Sequence, residues 1–427
     1  MRIRAITIGQ NFPIFYEFLE TEAFLEEKLE KFKPFFNGLI EEFKRINLPV
    51  ETKRICSQPL LMYESQLTYR KDVQETLSLL HEEFSILQKL FKKYGIDYFA
   101  CSTMLADELG HFGIFEKLIL DEFDKYLKEF PSLFTSIPVI SENKISFPAL
   151  KSAAKIIKKL SEPDPFKNLQ FCVSCNVPPN TPFFPAAYHS NSDKPAFSIA
   201  LEMADEIISI FNKASNLKEA KFNLEKRFDE IYEEVLKISE RISYKYNLEF
   251  KGMDFAPAPF PRFDRSIGTA IESFGIEYFG GHGSLFAIAL IANSIPKKEK
   301  VIGFSGVMLP VLEDFTLSLR LKEKKFTIDT LLLYSTVCGT GLDCVPLPGS
   351  ITERELFYIL LDLSTISIAH HKPLTARLMP IPGKEAGDDV KFDFEYFSPS
   401  KVMDIKRLSD SKKNDIFKRN EDIFNFL

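Results

Sequence analysis

The chain has 427 residues, 45% of them hydrophobic and 27% charged, enough apolar material for a sizeable core. A formal net charge of -6 excludes a general nucleic-acid binder, which would carry a basic surplus. No uninterrupted apolar run is long enough to span a membrane, and the opening MRIRAITIGQNF lacks the apolar core of a signal peptide, so the expected location is cytoplasmic.

Strand-like and helical patterns alternate along the chain. Strands are predicted at 2–9, 51–57, 96–102, 133–140, 169–175, 196–201, 251–257, 276–279, 300–306, 342–347 and 374–380. Amphipathic helices fall between most of them, as in 72–95, where Leu and Phe recur at helical spacing up to Gly95. The charged stretch 203–246 departs from this rhythm and reads as a helical pair, or one crossover with an extra helix, decorating the fold. The tail from 407 is polar with spaced phenylalanines and is expected to dock as a terminal helix. No linker or internal repeat divides the chain, so residues 1–427 are read as a single α/β domain. Ten or eleven strands exceed a standard eight-stranded barrel and leave a larger barrel or a wide doubly wound sheet.

Six cysteines in a chain of this length read as free thiols. Cys172 and Cys175 form a C-x-x-C, but in a strand their side chains point to opposite faces, against redox or zinc function. Cys338 lies in VCGTGLDC, where two glycines permit a bend, and it is a candidate nucleophile only with a cation beside it.

Three stretches invite chemistry. In YFGGHGSLFAIAL, Gly280, Gly281 and Gly283 precede an apolar helix for which Ser284 is the expected N-cap. Backbone N–H groups at such a helix start can hold phosphate or carboxylate, and His282 at its centre can exchange a proton. In MDFAPAPFPRFDR, Asp254 ends a strand before a proline-stiffened loop, whereas Arg262, Asp264 and Arg265 read as surface charges. In KPLTARLMP, Lys372 precedes a strand that carries Arg377 as a lone charge, and Arg54 in TKRICS poses the same choice between an ion pair and an anionic ligand.

The stretches IRAITIG, KRICSQP, GIDYFACS, PFFPAAYH, DFAPAP, FGGHGSLFAIAL, GFSGVMLPVLED, VCGTGLDCVPLP and KPLTARLMPIPGKEAGD resemble, in order and across nearly the whole chain, the domain-of-unknown-function 711 family, an uncharacterised protein family. Positions matching the family pattern include Arg54, Cys172, His189, Asp254, His282, Ser305, Glu313, Cys338, Asp343, Lys372 and Arg377; Cys175 and Cys344 do not match. The resemblance implies a ten-stranded α/β barrel similar to pyruvate formate-lyase. It brings no assigned reaction. Glycyl-radical chemistry is not expected, since no adjacent cysteine pair and no recognisable radical-glycine motif are present.

Two functional classes follow. The first is a cytoplasmic enzyme on a small anionic metabolite, phosphorylated or carboxylate, with Gly280, Gly281, Gly283, Ser284, Arg54, Lys372 and Arg377 binding it and His282, Cys338 or Asp254 as acid, base or nucleophile. The second is a non-catalytic metabolite-binding or regulatory protein on an enzyme-like barrel. No metal is expected, since no dense ligand motif joins His189, His282 and Asp254. The expected partner is the metabolite, with homo-oligomers admitted and nucleic acid and membrane excluded.

Overall fold

The computed structural model describes residues 1–12, 18–60, 72–104, 114–190, 192, 194–409, 414–419 and 422–426. Runs rich in Ile, Phe, Val and Ala form its strands, as their pleated, buried setting favours: β1 (Arg2–Gly9), β2 (Val50–Cys56), β3 (Tyr98–Ser102), β4 (Leu133–Ser141), β5 (Lys144–Ser146), β6 (Phe171–Cys175), β7 (Ala196–Glu202), β8 (Glu249–Ala258), β9 (Gly341–Pro348) and β10 (Leu374–Ile381).

Nine of them form one sheet path in the order β8-β7-β1-β2-β3-β4-β6-β10-β9. The central five, β1, β2, β3, β4 and β6, run parallel. The flanking pairs β7–β8 and β9–β10 are each parallel within themselves and join the central block antiparallel, through β1–β7 and β6–β10. The ladder does not close into a continuous ring. Instead the segment 301–310 makes one bridge to each free edge, Val301 to Met253 of β8 and Pro310 to Asp343 of β9.

Two expected strands are therefore corrected. Residues 276–279 sit in turns between Gly275 and Gly280, both at positive φ, and the Phe279 N–H goes to the Glu272 carboxylate at 2.8 Å. Residues 300–306 keep only the bridge at Val301, because Gly303 and Ser305 take positive φ and the Phe304 and Ser305 N–H groups turn to the Asp254 carboxylate.

Helices pack on one face of the sheet. Val73–Tyr94 starts where the Asp72 side chain accepts from the Gln74 N–H and ends at left-handed Gly95, as capping physics requires. The charged stretch forms two helices, Ala204–Lys213 and Leu217–Tyr246, the second capped by the Asn216 side chain. Between helices and sheet lies the main core, which includes Phe35, Phe91, Leu150, Phe197 and Leu360. Two smaller clusters, one with Phe134, Phe184 and Met379 and one with Cys172, Phe304 and Met308, border a cavity.

The strands β11 (Asp389–Val390) and β12 (Ser400–Lys401) pair with each other, and β13 (Ile423–Asn425) pairs with β5. The described part of the tail is thus not the expected helix: it holds one turn of 3-10 helix at Ile416–Lys418 and then β13, where Phe424 stacks on Phe147. Residues 410–413, 420, 421 and 427 of that expectation lie outside the described residues.

Candidate functional site

The parallel block brings single polar side chains from distant strands to one place. Thr52 and Arg54, two apart on β2, share a face. The Arg54 Nε donates to Thr52 Oγ1 at 2.9 Å, and that hydroxyl donates to the Arg4 carbonyl at 2.9 Å. With Tyr98, Cys172, Asp343, Thr375 and Arg377 they line a cavity of about 90 Å³, walled by Phe134, Phe184, Phe304, Met308 and Phe394.

Buried charges there are paired into a network. Arg4 on β1 reaches Glu51 at 2.9 Å, Glu202 at 3.3 Å and Glu313 at 3.3 Å, with its guanidinium 4.6 Å from the Tyr396 ring centre. Arg265 closes a ring with the same two acids: it bonds Glu51 at 2.9 Å and Glu202 through Nε at 2.7 Å, and lies over the Phe260 ring. Arg377 forks onto the Asp343 carboxylate and reaches Glu313 at 2.8 Å. Burial raises the Glu202 carboxyl to about 7, outweighing Arg4 and Arg265. Burial would likewise raise Glu313, but Arg377 and Arg4 overcome it and hold that carboxyl below its usual range.

Arg54 is the exception. Its residue is 8% exposed, yet among the described residues no carboxylate lies within ion-pair distance. Its guanidinium is instead flanked by the Phe184 and Tyr98 rings at 5.1 and 5.7 Å. Burial, then repulsion from Arg4, lowers its pKa to about 10, so it stays a cation at neutral pH. A buried cation without a counter-charge is costly, and a bound anion removes that cost.

The glycine loop lies elsewhere. Ser284 is the first residue of the helix Ser284–Asn293, not its N-cap, which is Gly283 in a left-handed conformation. The loop closes on itself: the Gly280 N–H bonds the Ser284 hydroxyl at 3.2 Å, the Gly281 N–H the Tyr278 carbonyl at 3.1 Å, and the Ser284 N–H the Gly281 carbonyl at 3.2 Å. A Cβ on Gly280 would fall 2.7 Å from the Lys325 carbonyl and one on Gly283 2.7 Å from Ile276, so packing and positive φ explain these two glycines. His282 is exposed, and neither it nor Gly280, Gly281, Gly283 or Ser284 lines the cavity that holds Arg54 and Arg377.

Cys338 and Lys372 do meet, since the Lys372 ammonium donates to the Cys338 carbonyl at 2.5 Å. Burial nevertheless wins and pushes the Cys338 thiol up, with Lys372 opposing, so it is a thiol and not a thiolate at neutral pH. The bend itself is a backbone crossing: a Cβ on Gly306 would sit 2.3 Å from the Gly339 Cα. Asp254 is fully buried with a carboxyl raised to about 6 by burial, and it accepts the N–H groups of Ala256, Phe304 and Ser305 at 2.7 to 2.9 Å. It therefore shapes the loop that presents Phe304 to the cavity and does not line the cavity. His189 is buried, with Nδ1 on Asn180 and Nε2 on the Ser192 and Lys194 carbonyls.

The C-x-x-C cysteines fall in different clusters, Cys175 in the main core and Cys172 beside the cavity, on opposite faces as the strand geometry requires. Among the described residues, ligand atoms close enough for one metal occur only at Glu313, Asp343 and Cys344. There Arg377 already bridges both carboxylates and the Cys344 thiol donates to Glu313 at 3.3 Å, so a guanidinium takes the place of a metal cation.

Sequence reading missed Arg4, Glu51, Glu202 and the aromatic pair Tyr98 and Tyr396, and it placed Arg265 on the surface, where the structure buries it at 8% exposure. Arg262 and Asp264 do sit at the surface, paired with each other at 2.8 Å. The signal used for Arg377, a charge within an otherwise apolar strand, is also present at Arg4 in RIRAITIG, next to Arg2, and at Glu202 in AFSIALE.

Comparison with known proteins supplies the family. A UPF0210 protein of Pyrobaculum aerophilum is 27% identical over 437 residues, covering 95% of this chain and 91% of the relative. UPF0210 proteins of Methanopyrus kandleri and Methanocaldococcus jannaschii are 25% and 24% identical, covering 94% and 88% of this chain and 91% and 84% of their own. Residues 1–400 match the family described as Uncharacterised ACR (DUF711), and the chain belongs to that family.

Proposed function

We propose that this protein takes a small anionic metabolite into the cavity bordered by β2, β3, β9 and β10, with Arg54 as the principal anion contact. The observation that carries this reading is a guanidinium nine-tenths buried, charged at neutral pH, lining a cavity and lacking any carboxylate partner among the described residues. Buried arginines with ligand-free forks are suited to carboxylate and phosphate recognition. Arg377 belongs to the wall of the same cavity, while Lys372 and the glycine loop do not line it.

Two classes of activity fit such a site. A cytoplasmic enzyme is favoured by an aromatic-walled enclosure with hydroxyls from Thr340, Thr375 and Tyr98 at its edge, which would exclude water from a reacting anion. A non-catalytic sensor is favoured by a different observation: both carboxylates that line the cavity, Glu313 and Asp343, are locked to Arg377. Mass spectrometry of ligand co-purifying with the native protein tests the common premise. A small anion released from wild type but not from Arg54→Met supports it, and a ligand unaffected by that change contradicts it. Conversion of the identified anion on incubation then separates enzyme from sensor.

We also propose that the central five strands, the two flanking pairs and the segment 301–310 form a ten-stranded barrel of the pyruvate formate-lyase kind around this cavity. Its support is the pair of bridges from that segment to the two free edges of the sheet. Six buried free cysteines, and no helix among the described residues that is long and apolar enough to cross a membrane, support the cytoplasmic assignment.

A further inference from the structure

The cavity also constrains what kind of anion enters. We infer that its occupant is a short monocarboxylate whose apolar body is smaller than a benzene ring, and not a phosphorylated metabolite; this rests on the reading of Arg54 as the anion contact.

Charge comes first. Four guanidinium groups, Arg4, Arg54, Arg265 and Arg377, meet four carboxyl groups, Glu51, Glu202, Glu313 and Asp343, and three of the four cations are already bound to acids. Of these four, Arg54 alone has a fork that no carboxylate among the described residues occupies. A phosphate monoester carries close to two negative charges at neutral pH, and the carboxylates of Glu313 and Asp343 on the cavity wall oppose the second. Among the described residues the lining contains no lysine, no histidine and no glycine turn whose N–H groups could supply the missing donors. A planar carboxylate, by contrast, matches one guanidinium with two parallel hydrogen bonds.

Size and surface come next. The cavity measures about 90 Å³, whereas an engineered cavity of about 150 Å³ is what admits benzene. Besides its polar groups the wall carries Phe134, Leu169, Phe184, Phe304 and Met308, against which a short hydrocarbon body gains and a second charged group loses. The Thr340 and Thr375 hydroxyls donate to the Val307 and Thr340 carbonyls at 3.4 and 2.9 Å, which leaves their oxygens to accept from one hydroxyl on the ligand.

Isothermal titration of the full chain with butyrate, isobutyrate, hexanoate, isobutyramide and inorganic phosphate tests the class directly on wild-type protein. Butyrate or isobutyrate is expected to bind at least about tenfold tighter than phosphate, than the uncharged amide and than the longer hexanoate, a gap of about 1.4 kcal/mol. Arg54→Met should abolish that binding and Arg54→Lys, which keeps the charge but not the fork, should weaken it. Ala258→Leu, which fills the cavity without touching the arginines, supplies a second variant should Arg54→Met melt. If phosphate binds as tightly as butyrate and still requires Arg54, the monocarboxylate assignment is overturned while the anion site stands. If butyrate and phosphate alike bind without regard to Arg54 and Ala258, or not at all, the site reading falls as well.

Discussion

The glycine loop at 280–284 and the arginine cavity are opposite kinds of anion-site candidate. The loop is local: five consecutive residues, three of them glycine, before an apolar helix. The cavity is assembled from single residues on strands and loops hundreds of positions apart, from Arg4 to Tyr396. Yet in the loop the hydrogen bonds of Gly280, Gly281 and Ser284 are satisfied internally, while in the cavity Arg54 keeps a charge that no described carboxylate neutralises. The comparison teaches that a glycine motif can serve backbone geometry alone, whereas a buried charge without a described counter-charge is the stronger ground for proposing a ligand.

Four substitutions and one pH series break or sharpen that contrast. The largest effect belongs to the cavity wall: Arg4→Met leaves Glu51, Glu202 and Glu313 short of a partner and should cost about 4 kcal/mol in urea unfolding. A loss below about 1 kcal/mol would mean that the network is not held as described. Asp254→Asn should cost about 3 kcal/mol, because an amide cannot accept all three N–H groups that the carboxylate takes from Ala256, Phe304 and Ser305.

The third effect is one of pH. With the Glu202 carboxyl at about 7 in the folded chain against 4.5 in the unfolded one, the native state holds a proton between those values that the unfolded state has lost. This group therefore adds stability at acid pH, and the addition fades as pH rises toward 7. Asp254, at about 6 against 3.8, acts in the same direction over a lower window. Glu202→Gln should flatten the dependence, so that wild type loses roughly 2 kcal/mol more than the variant between pH 5 and 7.5. Parallel profiles would show that Glu202 stays ionised throughout.

The loop should respond structurally and not functionally. Gly280→Val, at positive φ and 2.7 Å from the Lys325 carbonyl, should cost about 2 kcal/mol while leaving the affinity for butyrate unchanged. Smallest of all, His282→Ala should alter stability by less than about 0.5 kcal/mol, since the side chain is exposed. A loss of binding in either variant would return the anion site to the loop.

Much of the fold was legible because strand and helix periodicities are local. Nine of the eleven expected strands form ladder strands, and the helix 72–95 ends at Gly95 as its sequence directs. The failures share one cause: at 276–279 and 300–306 a side-chain carboxylate, from Glu272 and Asp254, captures N–H groups that a ladder would have used. No local pattern reveals such distant partners. The site was half legible. Arg377 stood out as a lone charge in an apolar strand and Arg54 posed the same choice between ion pair and ligand, but Arg265 sits in a short charged run, FPRFDR, and nothing nearby separates it from exposed Arg262. What joins it to Arg4 is the parallel pairing of β1 with β2, which puts Glu51 within reach of both guanidinium groups. Cys338 shows a different limit: its cation is in place, and the energy of burial overrules it.

The most direct test of the account is a crystal structure of the protein soaked in butyrate. The account predicts a carboxylate in the cavity, its two oxygens within hydrogen-bonding distance of the Arg54 guanidinium and its chain against Phe134 and Met308. Density for the anion at Gly280 to Ser284 with an empty cavity, or an Arg54 paired to a protein carboxylate, would contradict it.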